Sequence, residues 1–577
     1  MLRIGLKLTH DGGVAAVQDG ELLFSTEVEK LGNRPRYSAL PSSELIIRML
    51  ADHGFTIHDV ESVVVDGWDG LESSSAQLDG ATVPLNGYAE PDGQDDLLAG
   101  ARRDPLTLAG RTFEVTSHPH IAGHVYSALA TSPLPADQAS AVLVWDGGLF
   151  PRLYAADAQG RVRPLGPVGH LIGHCYAMAA HHFGPYRRAE QSTSNDDLSV
   201  AGKLMAYIAL GRRDEGVYQD LAELTLEHFD GDGERAVAYR RQIRGIGSTA
   251  EPSHRFFHDY FAELRARVEA RGTARDEDVL ATVHEFLEDY LVTRTSAALR
   301  RHLGPGPWHL AFVGGCALNI KWNSRLRAEP GVASLWVPPF PNDAGSALGN
   351  AAIAAYLTDG TRRLDWNVRL GPALTAMPES VRQQYTAAGW TVTPCTIKEL
   401  AQQLHESGEP VVLLSGRAEL GPRALGGRSI VATATDPAMK DTLNQVKKRE
   451  PYRPVAPICL EEYAPDIFSP GTPDPYMLFD HDVRAEWLGR IPAVVHLDGT
   501  ARLQTVPADA DPVLRSLLEA YHAISGVPVL CNTSANLNGS GFFPDVASAL
   551  DWGRIPAVWS DGQLWTRDDT KQAAGAQ

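Results

Sequence analysis

The 577 residues contain no Cys-x-x-Cys pair. The five cysteines, Cys175, Cys316, Cys395, Cys459 and Cys531, are widely spaced and odd in number. Neither a disulfide framework nor a thiolate zinc site is indicated. No apolar run approaches the ~20 residues that cross a bilayer. Low-complexity tracts are missing too, and with 44% hydrophobic and 21% charged residues the chain reads as folded rather than disordered. Cations are scarce: 52 Lys and Arg stand against 71 Asp and Glu, a formal charge of -19. Nonspecific nucleic-acid binding, which neutralises phosphates with cations, is disfavoured. Any phosphate site must therefore be a local basic pocket. The opening Met1-Leu2-Arg3-Ile4-Gly5-Leu6 lacks the basic-then-apolar pattern of a signal peptide, so a cytoplasmic, membrane-free protein is expected. At ~100–200 residues per domain the length suggests three or four globular units.

Residues 4–8, 13–18 and 21–27 are predicted strands, with Asp19-Gly20 as the hairpin turn between the last two. A helix over 44–53 follows Ser42 and Ser43, which can cap it, and a strand over 60–65 comes next. Residues 70–105 read as an irregular surface insertion, a candidate substrate-recognition region. The strand at 141–145 runs into Asp146-Gly147-Gly148, and strands at 153–156 and 162–165 follow. This echo of the opening three strands suggests a duplicated unit, as in actin-like or ribonuclease-H-like architectures. A helical segment carrying Lys203 begins near 199. Residues 211–275 are helical in pieces, and 279–303 is a long helix stopped by Gly304. A linker is expected over 359–378. Beyond it come a helix at 397–407, a strand at 410–415, a helix at 439–448 and a strand at 527–530.

The chemistry concentrates in two places. His120 and His124 lie four apart, on one face of a helix, where both imidazoles can face one metal ion. An ordinary pair of helix histidines is the bland alternative. Asp146 ends an apolar strand, and Asp343 lies in Asn342-Asp343-Ala344-Gly345. Together they could complete a nitrogen-and-oxygen site with open positions, suited to holding phosphates or activating a hydroxyl. His10, in a turn after the first strand, could take a hydroxyl proton. The strand at 309–313 runs into Gly314-Gly315-Cys316-Ala317-Leu318-Asn319, where backbone N–H groups could meet a phosphate or a ribose. The second concentration is cationic: Arg417, Arg423, Arg428, Lys447, Lys448, Arg449, Arg453 and Arg502 among glycines and prolines. Such loops bring guanidinium groups close to a phosphate ester. The residues describe a two-part enzyme that activates and transfers a small acyl group.

The motifs named above, in this order along nearly the whole chain, together with Ala201-Gly202-Lys203-Leu204-Met205-Ala206 and Asn532-Thr533-Ser534, resemble the antibiotic O-carbamoyltransferases of the NodU and cephem carbamoyltransferase type. The resemblance implies an α/β protein: an N-terminal actin-like domain (ASKHA, a duplicated ribonuclease-H-like unit) over 1–360 and a C-terminal YrdC-like α/β domain over 361–577. It implies that carbamoyl phosphate and ATP give carbamoyl-adenylate in the second domain, and that the carbamoyl group then passes in the first to a hydroxyl of a secondary metabolite, such as a cephem or a macrolide glycoside. His120, His124 and Asp343 match metal ligands, the metal being iron or, with ATP, magnesium. Asp146 matches a residue near the metal and acceptor, and His10 the general base. Gly314, Gly315, Asn319 and Asn342 match positions near the adenylate; Arg423, Lys447, Arg453 and Arg502 match the carbamoyl phosphate and ATP site. Asn538 stands where many relatives carry a basic residue, which puts one phosphate contact in doubt. A homodimer is the expected assembly. The rival readings are a threonylcarbamoyl-adenosine synthase-like enzyme of tRNA and a non-enzymatic actin-like nucleotide-binding regulator.

Overall fold

A computed structural model describes residues 1–70, 73–135, 138–188, 196–245, 251–272 and 274–567. The chain forms two compact units, not the three or four its length suggests. The first comprises Met1–Ser25 and Ala39–Trp366. The second comprises Thr26–Ser38 and Asn367–Gln577. A short piece of the N-terminal region thus belongs to the second unit, which a single cut near 360 does not capture. No helix among the described residues is long and apolar enough to cross a membrane.

The first unit is built on two sheets. β1 (Leu2–Lys7) is buried at every position, as a central strand covered on both faces must be. It pairs antiparallel with β2 (Gly13–Gln18), which is followed by β3 (Glu21–Glu27), and parallel with β4 (Val60–Asp66). β5 (Ser74–Leu78) and β6 (Ala81–Leu85) form a separate hairpin. β7 (Arg102–Leu108) and β8 (Arg111–His118) complete the first sheet, in the order β3-β2-β1-β4-β8-β7. The second sheet contains β9 (Ser140–Val144), β10 (Arg152–Ala156), β11 (Val162–Pro167), β12 (Trp308–Val313) and β13 (Val332–Trp336), ordered β11-β10-β9-β12-β13. In each sheet three strands run antiparallel and a parallel strand then joins the first of them. The repeat read faintly from the hairpins is therefore present in the strand order itself.

The stretch 70–105 departs from expectation. Where it is described it holds β5, β6 and the start of β7, and it buries Tyr88, Glu90, Leu97 and Leu98. Its charged and glycine-rich surface positions hid a period-two pattern that becomes clear only in β7 and β8.

Helices His120–Thr131 and Ser346–Asp359 carry almost nothing but small and apolar residues, and both are buried along most of their length. Ile121, Val125 and Ile353 pack into one core with Val64, Val142, Val144 and Val313. Between β11 and β12 the chain inserts a set of helices ending in Asp276–Leu303, stopped by Gly304 at φ 85°.

The second unit holds an eight-stranded mixed sheet. Its order is Trp390–Pro394, Gln563–Arg567, Ala557–Ser560, Val411–Leu414, Arg428–Thr433, Val529–Ser534, Ala456–Leu460 and Gln504–Val506. Helix Ile397–Ser407 starts at a capping box, Thr396 with Glu399, and packs through Leu400 and Leu404 with Leu517 and Leu518 of helix Pro512–Ser525. The Thr26–Ser38 segment is tied in by Lys30. Its ammonium donates to the Glu27 carboxylate at 2.7 Å and to the carbonyls of Glu419 and Gly421 at 2.5 and 2.9 Å.

Candidate active site

Strand ends and helix starts supply the first unit's site. β1 delivers Lys7, β4 delivers Asp66, and the turn after β9 delivers Asp146. Helix His120–Thr131 supplies His120 and His124, and Asp343 begins the turn that leads into helix Ser346–Asp359. The four expected groups converge: one ligand atom from each of His120, His124, Asp146 and Asp343 lies within 4.8 Å of the others. Nε2 of each histidine is 3.4 Å from Asp343 Oδ1, and Asp146 Oδ2 is 3.8 Å from His120 Nε2 and 4.0 Å from His124 Nε2. All four side chains are buried, and Nε2 of both histidines accepts or donates no hydrogen bond, while Asp343 turns Oδ1 to them and keeps Oδ2 for Lys7. Two buried imidazole nitrogens without partners, facing two carboxylates across one point, are the donor set of a divalent transition metal. The residues present therefore fit the group the resemblance implies, with Asp146 as a fourth donor.

Electrostatics point the same way. Burial opposes every charge here, yet Asp343 stays ionised, held well below the usual carboxylate range by Lys7, His120 and His10. Burial and Lys7 disfavour a proton on His120, while Asp66 and Asp343 outweigh them and raise its affinity for positive charge. A pocket that attracts a proton to the His120 imidazole is also one that attracts a metal cation in its place.

Four contributors were missed from the sequence. Asp66 accepts the Nδ1–H of His120 at 2.7 Å. Lys7 bridges Asp66 and Asp343 at 2.9 and 3.0 Å. Tyr88 donates its hydroxyl to Asp146 Oδ2, and burial with Asp146 and Asp343 keeps it a phenol. Trp68 covers the Lys7 ammonium, 4.2 Å from its ring. A signal for Asp66 did exist: like Asp146, it closes an apolar strand.

His10 lies at the edge of this cluster with its side chain 25% exposed. Its Nδ1 is 2.8 Å from Asp11 Oδ2 and 3.6 Å from Asp343 Oδ2. Gly315 donates its N–H to Asp146 Oδ1 at 2.6 Å, and Gly314 takes φ 92°, with the space of a Cβ filled by the Trp145 carbonyl 2.4 Å away. Here glycine is required by backbone contact. Asn319 caps helix Ile320–Arg327 through Oδ1, and its Nδ2 has no partner; nor does Asn342 Oδ1.

In the second unit the expected cations divide into two groups. Arg428 is structural: its guanidinium donates to the carbonyls of Ser415, Gly427, Pro372 and Gly416. Lys447 likewise spends its three protons on Ser534 O, Asn536 O and Asn536 Oδ1, at 2.8, 2.8 and 2.6 Å. The remaining arginines repel one another. Burial together with Arg36 and Arg453 pushes Arg423 down to about 10, and burial with Arg453, Arg36 and Arg502 pushes Arg449 down to about 9. Arg502 falls well below its ordinary value through burial, Arg423 and Arg453. Nε of Arg423 and of Arg502 has no acceptor. Glu450, 3.7 Å from Arg453, offsets the charge only in part. Crowded, half-buried guanidinium groups of this kind can bind an anion. Arg36 joins it from the Thr26–Ser38 segment, which sequence order placed with the other domain. Asn538 is exposed in a turn.

The loop below is shaped from within. The Glu419 carboxylate accepts N–H groups from Leu425, Gly427 and Arg428 at 2.7, 2.6 and 3.2 Å. Gln504 and Asn532 brace the same loop through the carbonyls of Leu425 and Ala424.

The carbamoyltransferase N-terminus family model matches residues 2–353 and the carbamoyltransferase C-terminus model residues 401–554. Nodulation protein U of Rhizobium tropici is 50% identical over 577 residues, covering 99% of this chain and 97% of that protein. The 3'-hydroxymethylcephem-O-carbamoyltransferase of Streptomyces clavuligerus is 33% identical over 580 residues, covering 98% and 99%. Among solved structures, a ROK family glucokinase from Streptomyces griseus covers 61% of this chain and 99% of its own, at a TM-score of 0.26 and 13% identity. Both family models, in this order, and full-length similarity to these transferases identify the chain as an enzyme of the carbamoyltransferase family.

Proposed function

We propose that the protein is an ATP-dependent O-carbamoyltransferase: at the arginine cluster of the second unit water hydrolyses carbamoyl phosphate to carbamate and phosphate, the carbamate attacks the α-phosphate of ATP to give carbamoyl-adenylate and pyrophosphate, and in the first unit a hydroxyl of a small metabolite takes the carbamoyl group with AMP as the leaving group. The observation that carries this reading is the presence of two complementary sites: a cluster of arginines that lacks enough counter-charge and a histidine-carboxylate cluster whose imidazole Nε2 atoms lack partners. Carbamate is a poor electrophile, and adenylation gives it a good leaving group. A divalent cation held by His120, His124, Asp146 and Asp343 would supply Lewis-acid polarisation of the carbonyl or phosphate. His10, exposed at the edge of the same cluster, takes the acceptor's hydroxyl proton. Gly314, Gly315, Asn319 and Asn342 line the adenylate end, where Asn319 Nδ2 and Asn342 Oδ1 are unspent.

The repeated strand order of the first unit supports an actin-like fold of duplicated ribonuclease-H-like halves, and the mixed sheet of the second supports a YrdC-like one. Iron is the metal proposed, with magnesium accompanying ATP, and a homodimer the assembly. Similarity is greater to a nodulation protein U than to the cephem enzyme, so a hydroxylated acceptor other than a cephem is favoured. A tRNA acceptor fits poorly with the net charge of -19. The test is incubation with ATP, carbamoyl phosphate and a panel of hydroxylated glycosides, a hydroxymethylcephem and tRNA. Pyrophosphate release and a mass gain of one carbamoyl group on a small acceptor are expected; modification of tRNA alone would overturn the acceptor class, and no pyrophosphate release would overturn the adenylate route.

A further inference from the structure

We propose that His170 binds the acceptor: its Nε2 receives a hydrogen bond from a hydroxyl other than the one that is carbamoylated, and Asp230 holds the ring for that contact. The inference rests on the transfer reading above and adds a specificity contact outside the histidine-carboxylate cluster.

His170 follows β11, in a loop stitched to the Asp146 turn. The Leu171 carbonyl accepts the Trp145 indole N–H at 3.0 Å. Gly173 N–H donates to the Asp146 carbonyl at 3.1 Å, and His174 N–H to the Gly147 carbonyl at 2.7 Å. From Gly173 back to His170 the chain spans at most about 10 Å. The His170 ring also meets Phe150, just beyond the Asp146 turn, edge to face with centroids 5.4 Å apart. An acceptor whose reacting hydroxyl lies at the cluster therefore brings its other hydroxyls within reach of this imidazole.

The helical insertion immobilises His170 on every side but one. Its Nδ1 is 2.7 Å from Asp230 Oδ1, its backbone N–H donates to the Tyr290 hydroxyl at 2.8 Å, and its carbonyl accepts the Tyr239 hydroxyl at 2.8 Å. Gly169 leaves the room, since a Cβ there would stand 2.3 Å from the Tyr290 hydroxyl. Asp230 closes a π-helical turn, Leu226–Asp230, of a kind frequent at functional sites, and its side chain is 3% exposed. Arg294, 2.7 Å from Oδ2, and the Tyr290 hydroxyl, 3.2 Å from Oδ1, hold the carboxylate in turn. A carboxylate only accepts, so it takes the Nδ1–H and leaves the lone pair on Nε2. No described residue hydrogen-bonds that nitrogen, and the side chain is 28% exposed. A tie between insertion and loop needs only the backbone bonds; the oriented ring with a free acceptor atom suits a ligand hydroxyl.

The test follows carbamoyl transfer by the full-length protein to methyl β-D-glucopyranoside and to its monodeoxy forms. His170→Ala is expected to raise the KM for the glucoside about tenfold while kcat changes less than about twofold, the loss of one neutral hydrogen bond. His170→Gln, whose amide oxygen can take the place of Nε2, restores most of that KM. Asp230→Asn, which can donate to Nδ1 and turn the ring proton to Nε2, raises it again. One monodeoxy glucoside should bind wild type as weakly as the parent binds His170→Ala, and should lose nothing further in that variant; a purely structural residue would weaken every form alike. Thermal melting verifies folding; should His170→Ala not fold, His170→Phe keeps a ring against Phe150 without the nitrogen and gives the same comparison. An unchanged KM in the folded variant, a fall in kcat alone, or equal losses with every monodeoxy form overturns the proposal. Failure of wild type to carbamoylate any of these glucosides overturns the glycoside-transfer reading on which it rests.

Discussion

Gly123 and Gly349 meet backbone to backbone: a Cβ built on Gly349 would stand 1.8 Å from the Gly123 carbonyl oxygen. This contact lets helices His120–Thr131 and Ser346–Asp359 approach closely enough for both histidines to face Asp343. Gly349→Ala must push the helices apart, since neither backbone can yield. The expected cost is about 3 kcal/mol of stability, at the upper end of overpacking effects, with Co(II) binding lost. Denaturant unfolding and a Co(II) titration check both, and unaltered metal affinity would refute the geometric role.

His10→Ala should spare pyrophosphate release from ATP and carbamoyl phosphate while lowering transfer roughly 100- to 10,000-fold, the range for a lost general base. Measuring the two half-reactions separately decides it. Equal loss in both would place His10 in binding rather than proton transfer.

Arg502→Ala should lower pyrophosphate release about 100-fold, as removal of one preorganised charge contact does. It should not lower the melting temperature, because its neighbours Arg423 and Arg453 repel it. Inorganic phosphate or pyrophosphate should raise the melting temperature of wild type and raise it less in the variant.

Lys447→Met tests a different role in the same region. The carbonyls of Ser534 and Asn536 would lose the Lys447 donor while Asn536 Oδ1 keeps the Ser534 hydroxyl at 2.7 Å, and a loss of about 1–3 kcal/mol is expected. A lysine that instead held the phosphate directly would raise the KM for carbamoyl phosphate and leave stability unchanged.

Glu419→Gln should reveal an acid-dependent contribution. Burial raises the Glu419 pKa, but Arg369, Arg428 and backbone N–H groups outweigh it, so the folded value lies below the ordinary 4.5. Such a group stabilises the fold fully above its unfolded pKa, and the gain fades as pH falls through the folded value. The variant is expected to lose about 2 kcal/mol at neutral pH and to show a flatter decline in stability below pH 4.5 than wild type. Parallel acid limbs would exclude the assignment.

Local signals fixed much of this protein in the sequence alone. The 397–407 helix announces itself by its capping box, and the long helix by its closing Gly304. His120 and His124 share a face because a step of four residues is just over one helical turn. Asp146 and Asp343 were found because each follows an apolar run and precedes glycines. Only the tertiary structure decided what lies across from these groups. Lys7 and Asp66 sit on neighbouring parallel strands, 59 positions apart in an order that no periodicity encodes, and become an ion pair only when β1 and β4 align. The split between cations that find carbonyl acceptors and those left with unpartnered nitrogens was equally hidden. Arg428 and Lys447 share their charge and their glycine-rich surroundings with Arg423 and Arg502, and differ only in the carbonyls that folding places around them. Spacing along a chain governs which residues share a face; which charges are paid with partners, and which are left for a ligand, is settled by distances between segments that the chain brings together last.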